Sequence, residues 1–263
     1  MIGVFDSGLG GLSVLAAIAR ALPRARLCYL ADTAHVPYGN KADAFIQGRV
    51  LAIGRHLVNQ GCRLLVVACN TATAAAVHEL RQQHPGISVV GVEPGVKPAA
   101  AASRSRRIAV LTTESTAHSE RLARLIRTHA DGVEVHVEAC PGWATRVETL
   151  DLDGPAFATE ITARIMPLLA LGADQLVLGC THYSFLAPTL QTLVAGRAQL
   201  VDVADAVARQ VVRLAGDGAQ ENGALYLQAT ARPERLQAAL PRLGLGWLAD
   251  KAREPARLIT VTG

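Results

Sequence analysis

The chain has 263 residues, 50% of them hydrophobic and 18% charged, and carries 26 Lys and Arg against 22 Asp and Glu. This composition excludes a chain that is mainly disordered. The excess of four positive charges is spread over many helices, and with only 4% aromatic residues it provides no clustered basic and stacking face for nucleic acid.

No apolar run approaches the roughly 18 residues of a membrane span, and no basic leader precedes the first strand. The five cysteines, Cys28, Cys62, Cys69, Cys140 and Cys180, are odd in number and scattered. They are expected to be reduced thiols in a cytoplasmic protein with no membrane association.

In chain order, residues 2–5 form a short apolar run expected to be a strand, followed by a glycine-rich turn and helical periodicity over 12–22. Strands are expected at 26–30, 64–68 and 87–92, with helices at 42–60 and 71–84 between them. Strands apolar throughout, alternating with helices, point to a parallel sheet covered on both faces. The pattern then restarts: strands at 108–111, 133–139 and 175–179 alternate with helices at 115–130 and 156–170. A closing unit has a helix over 204–214, a strand over 224–229 and a helix opening at Pro233.

Two pairs of segments match between the halves. Ile2-Gly3-Val4-Phe5-Asp6 parallels Ile108-Ala109-Val110-Leu111-Thr112 at an offset of 106 residues, and Val66-Val67-Ala68-Cys69 parallels Val177-Leu178-Gly179-Cys180 at 111. The expected fold is α/β, with two similar domains, each a mostly parallel sheet flanked by helices, and the active site in the cleft between them. Residues 1–97 with 208–263 would form the first domain and 98–207 the second.

Cys69 and Cys180 each stand where an apolar strand stops and a helix begins. Ligand crevices of parallel sheets open at these strand ends, and a helix N-terminus there favours thiolate over thiol. Cys28 and Cys62 sit in apolar runs and are expected to be packing residues; Cys140, before Pro141-Gly142, is a candidate for the site wall. Two facing thiols suit inversion of an α-carbon without a cofactor, because one group can remove a proton from one face while the other delivers a proton to the opposite face. Fixed donors must then stabilise a carbanion-like transition state, and Ser7, Asn70, Thr71 and Thr181 are placed for this. Asp6 ends the first strand and is a candidate to meet the substrate ammonium or the proton handled by Cys69, and His182, two residues after Cys180, is a candidate to tune or relay for that thiol.

At these residues the chain resembles the glutamate racemases of the cofactor-independent aspartate/glutamate racemase family. The matching elements are Phe5-Asp6-Ser7-Gly8 with Gly10-Gly11-Leu12-Ser13, Asp32 with Pro37-Tyr38-Gly39, Ala68-Cys69-Asn70-Thr71-Ala72, and Leu178-Gly179-Cys180-Thr181-His182-Tyr183. Their order and separations match as well, over almost the whole chain. The resemblance implies interconversion of L- and D-glutamate for peptidoglycan synthesis, with no metal and no cofactor. Cys69 would take the proton from D-glutamate with Asp6 assisting, and Cys180 from L-glutamate with His182 assisting. Ser7, Pro37, Tyr38, Gly39, Asn70, Thr71, Thr113, Thr116 and Thr181 would bind the substrate, and Glu148 would support them from behind.

The chain departs from the family pattern at His35, at Ser184 and over Trp143-Ala144-Thr145-Arg146, beside the chemistry rather than in it. The resemblance leaves a homodimer open. Family members controlled by a cell-wall precursor carry an N-terminal extension not seen here, so such activation is not expected.

Three other readings compete. A racemase of aspartate or another small amino acid would keep both thiols. An NAD-binding oxidoreductase would use Gly8-Leu9-Gly10-Gly11-Leu12-Ser13, but Ser13 stands where the third fingerprint glycine belongs. A cysteine hydrolase would pair Cys180 with His182, but residues two apart on a new helix are not expected to face each other.

Overall fold

The computed structural model describes residues 1–216 and 222–262. The first half runs β1 (Ile2–Asp6), α1 (Leu12–Ala21), β2 (Leu27–Ala31), a 3-10 turn at Tyr38–Asn40, α2 (Asp43–Asn59), β3 (Leu64–Val67), α3 (Asn70–Gln83) and β4 (Ser88–Gly91). The second comprises α4 (Val96–Ala102), β5 (Arg107–Thr112), α5 (Glu114–Ala117), α6 (Glu120–His129), β6 (Glu134–Ala139), α7 (Trp143–Thr149), α8 (Pro155–Ala170) and β7 (Gln175–Leu178). It continues with a 3-10 turn at Thr181–Leu186, α9 (Ala187–Val194) and β8 (Gln199–Val201). The chain closes with α10 (Ala204–Ala215), β9 (Leu225–Ala229), α11 (Pro233–Arg242), α12 (Gly246–Lys251) and β10 (Arg257–Leu258).

Two parallel sheets result, in the orders β10-β9-β2-β1-β3-β4 and β6-β5-β7-β8. The internal match seen in the sequence becomes a match of topology, because β2-β1-β3-β4 and β6-β5-β7-β8 repeat the same order. Phe5 pairs with Val67 in one sheet and Leu111 with Leu178 in the other. Each reactive-cysteine candidate lies two residues beyond the partner named second, so the thiols occupy corresponding strand ends.

Side-chain alternation sends neighbouring residues of a strand to opposite helical layers. Val4, Tyr29 and Val66 join the core under α1 and α10, while Phe5, Cys28 and Leu65 join that under α2 and α3. In the second sheet Ala109 and Leu111 pack towards α8, and Ile108 and Val110 towards α4 and α6. The β1 strand is buried at every residue, which accounts for its unbroken apolar run.

Two local expectations are corrected. The helix expected over 115–130 is split, because Ser119 takes extended backbone and its hydroxyl accepts from the Leu122 N–H at 3.2 Å, capping a new helix. The helix expected directly after Cys180 opens as a 3-10 turn, and α9 follows it. Short elements such as α4, α7, α12 and β8 escaped the periodicity reading. Positions 97 and 207, near which the domain crossings are expected, lie in α4 and α10.

Candidate active site

The C-terminal ends of β1, β3 and β7 converge between the two sheets. Asp6, Ser7, Asn70, Thr71, Thr116, Thr181 and His182 are all buried polar residues there, and Cys69 and Cys180 are 6% and 7% exposed. So many buried polar groups in one place require either mutual partners or a ligand.

Several hydrogen bonds join the halves at this point. Thr181 Oγ1 donates to Asp6 Oδ1 at 3.5 Å, and Ser13 Oγ to the Thr181 carbonyl at 3.3 Å. Thr71 Oγ1 lies 3.2 Å from the hydroxyls of both Thr113 and Thr116. Glu148 Oε1 accepts from the Leu9 N–H at 2.6 Å and meets His182 Nε2 at 2.6 Å. His182 in turn places Nδ1 3.6 Å from Cys180 Sγ, giving an unbroken chain from Glu148 through His182 to Cys180.

The glycine-rich loop makes this approach possible. A Cβ on Gly8 would lie 2.0 Å from Glu148 Oε1, and one on Gly10 would lie 2.3 Å from His182 Nδ1. The glycines are therefore explained by contact with a side-chain pair from the other half.

The 3.6 Å contact corrects the expectation that Cys180 and His182 would not face each other. Cys180 has extended backbone (φ −140, ψ 133) and a tight 3-10 turn follows, so the two side chains converge. What still separates this site from a hydrolytic dyad is the second thiol at the facing strand end.

The helix N-terminus expected to favour thiolate at Cys69 is present, but it is not the largest influence there. The sulfur accepts from the Ala72 N–H at 3.4 Å, which favours thiolate. Burial, and then the nearby Asp6 charge, outweigh this and hold the thiol well above its ordinary value. Burial likewise raises Asp6, against the opposing charge of His182 and the Gly8 N–H. Burial pulls His182 down, but its hydrogen bonds to Cys180 and Glu148 prevail and hold the imidazolium well above its ordinary range. Each thiol thus has a titratable neighbour shifted towards keeping a proton.

The remaining expected residues line the surroundings. Tyr38 is buried, and its hydroxyl donates to Asp32 Oδ2 at 2.6 Å. Gly39 is pressed against Thr113, and Pro37 lines an adjoining cavity. Ser7 contributes its backbone N–H towards Cys69. Asn70 Nδ2 and Oδ1 are both buried without a hydrogen-bond partner, the signature of a side chain arranged for a ligand. Cys140 packs behind Cys180 with Trp143 and Tyr183, and burial pushes its thiol up to about 12. No cluster of His, Cys, Asp and Glu suited to a metal occurs among the described residues. Among the described residues no helix is long and apolar enough to cross a membrane.

Comparison with known proteins matches residues 2–211 to the family model for Asp/Glu/hydantoin racemases. The chain belongs to that family. Among its relatives, the glutamate racemase of Ectopseudomonas mendocina is 46% identical over 92% of this chain and 94% of its own length. That of Ralstonia nicotianae is 50% identical over 87% of this chain and 80% of its own. The Escherichia coli glutamate racemase, solved with L-glutamate and the activator UDP-MurNAc-Ala, superposes with a TM-score of 0.87 at 30% identity, covering 100% of this chain and 98% of that one.

Family motifs did not reveal every contributor to this racemase-type site. Arg49 makes a two-pronged contact with Asp32, Nε to Oδ2 and Nη2 to Oδ1, both at 2.9 Å, and so fixes the acceptor of the Tyr38 hydroxyl. Thr230 donates to Asp32 Oδ1 at 2.8 Å, and Arg49 Nη1 reaches the Val261 carbonyl at 2.8 Å. The one available signal was a basic residue beside the buried stripe Ile46, Val50 and Ile53 of α2. The Leu9 N–H, a backbone group, carried no sequence signal.

Proposed function

We propose that this protein is a glutamate racemase that interconverts L- and D-glutamate by two-base proton transfer, without metal or organic cofactor. The observation that carries the proposal is the pair of corresponding strand ends, each presenting a thiol with its own proton-holding neighbour: Asp6 for Cys69, and His182 backed by Glu148 for Cys180.

In one direction Cys69 as thiolate takes the α-proton of D-glutamate, and the C–H electron pair remains on carbon, spread into the adjoining carboxylate. Cys180 as thiol then protonates the opposite face, and the product is L-glutamate. The reverse reaction exchanges the two roles. Because burial opposes ionisation of Cys69, the proton it must shed needs a receiving group, and the raised Asp6 carboxyl serves. On the other side the imidazolium of His182, held by Glu148, exchanges a proton with Cys180 across 3.6 Å.

Asn70, with both amide atoms unpartnered, and the hydroxyls of Thr71, Thr113, Thr116 and Thr181 supply donors to the substrate carboxylates. Ser7, Pro37, Tyr38 and Gly39 complete the wall. Such donors must be in place before reaction if proton transfer proceeds without a cofactor to delocalise the carbanion charge. The two structural halves divide between Gly91 and Val96 and again between Val201 and Ala204. The product D-glutamate would feed peptidoglycan synthesis in the cytoplasm.

The test is optical rotation of separate L- and D-glutamate solutions incubated with metal-free, reduced protein. Both should decay to zero rotation, and Cys69→Ser and Cys180→Ser should each abolish the decay. Stable rotation with folded, reduced wild type would overturn the assignment.

A further inference from the structure

A cavity of ≈ 360 Å³ opens between the halves beside, but not containing, the two thiols. Its inner wall includes Leu9 and Glu148, the residues joined by the 2.6 Å hydrogen bond across the cleft. Its outer wall carries Arg232, Arg235 and Arg242. Among the described residues none of these arginines forms an ion pair with a carboxylate. Arg242 Nη2 donates only to the Leu150 carbonyl, at 3.2 Å. Glu148 is the single carboxylate of the lining, and it is already engaged by His182 and the Leu9 N–H. The cavity therefore presents uncompensated positive charge within a concave, partly apolar wall, a geometry that concentrates anions.

The backbone supplies a second and independent observation. Among the described residues, four that are not glycine have left-handed backbone, and two of them line this cavity: Leu150 (φ 58) and Arg232 (φ 48). Strained conformations persist where surrounding structure over-determines them, and they gather at ligand-handling sites. Here they hold the Leu150 carbonyl against Arg242 and set Arg232 at the start of α11.

We propose that this cavity is an anion vestibule that captures the acidic amino-acid substrate by its carboxylates before it passes between the thiols. The inference rests on the racemase reading. The barrier between vestibule and thiols is built from one residue of each half, so parting the halves breaks the Leu9–Glu148 hydrogen bond and opens the way inward. Arg232 and Arg235 supply attraction at the mouth and take no part in proton transfer.

The test uses the full-length protein and its Arg232→Ala/Arg235→Ala double variant, which alters exposed side chains with no hydrogen-bond partner among the described residues. Pyrophosphate is the probe, because it offers negative charge and no α-proton. Calorimetric titration should show binding to wild type and roughly tenfold weaker binding to the double variant. Pyrophosphate should inhibit competitively against glutamate. The double variant should lose roughly tenfold in kcat/KM at low salt with kcat kept within about twofold, and the loss should shrink as NaCl screens the charges. Equal pyrophosphate affinity in both proteins, or non-competitive inhibition, would overturn the vestibule. Absence of glutamate turnover by wild type would defeat the racemase reading instead, and the titration would still decide whether the arginines bind anions.

Discussion

Replacing Glu148 by Gln isolates the charge in the Glu148–His182–Cys180 chain. The substitution keeps the shape and leaves an amide oxygen for the Leu9 N–H, but removes the carboxylate from a histidine whose side chain is 3% exposed, at a glutamate 12% exposed. A hydrogen bond to a charged group contributes about 1.5–3 kcal/mol. At 1.36 kcal/mol per decade this corresponds to a fall in kcat/KM of roughly tenfold to a hundredfold. L- and D-glutamate have equal free energies in achiral solution, so kcat/KM must fall equally in both directions. The separable readout is the kinetic isotope effect.

With α-deuterated L-glutamate the effect should grow, because abstraction by Cys180 becomes slower relative to other steps, whereas with α-deuterated D-glutamate it should not grow. Stability gives a second check. His182 has its folded value raised above the ordinary 6.5, so the pair stabilises fully below that pH, and this contribution is lost as pH rises through the folded value. The deficit in Tm of the variant should therefore be largest on the acid side of 6.5 and narrow towards alkaline pH. A loss of activity under threefold, with both isotope effects unchanged, would refute the role given to Glu148.

Other perturbations follow from the same geometry. Asn70→Ala removes two buried atoms that have no partner, so Tm without substrate should match or exceed wild type while KM rises about tenfold; thermal melts and initial rates separate the two effects. Gly10→Ala places a methyl group 2.3 Å from His182 Nδ1, so overpacking should cost about 1–3 kcal/mol and activity should drop at least tenfold, measured by denaturant titration and polarimetry. Arg49→Met leaves the buried Asp32 carboxylate without its cation, at an expected cost of about 3–5 kcal/mol, and the slackened Tyr38 wall should raise KM more than it lowers kcat.

The sequence by itself determined the architecture of repeated strands and helices and the chemistry at the two principal strand ends. Unbroken apolar strands, helical periodicity between them and the cysteine at the end of β3 and of β7 are local or evenly spaced signals, and they survive in one dimension. The parallel register then carried those signals into space, since Phe5 with Val67 and Leu111 with Leu178 fix the thiols at matching heights.

Only the tertiary structure decided which groups meet across the cleft. Cys180 faces His182 because extended backbone runs into a 3-10 turn, where the sequence suggested an α-helix. Burial and Asp6 outweigh the helix N-terminus and raise the Cys69 thiol above its ordinary value, a balance of desolvation that spacing alone cannot reveal. The glycines at 8 and 10, which resemble part of a dinucleotide fingerprint, proved to be clearance for Glu148 and His182, more than 130 residues away in the chain. The reason is physical: strand and helix periods are set by backbone geometry within a few residues, whereas burial, charge pairing and close approach depend on neighbours supplied by the rest of the fold.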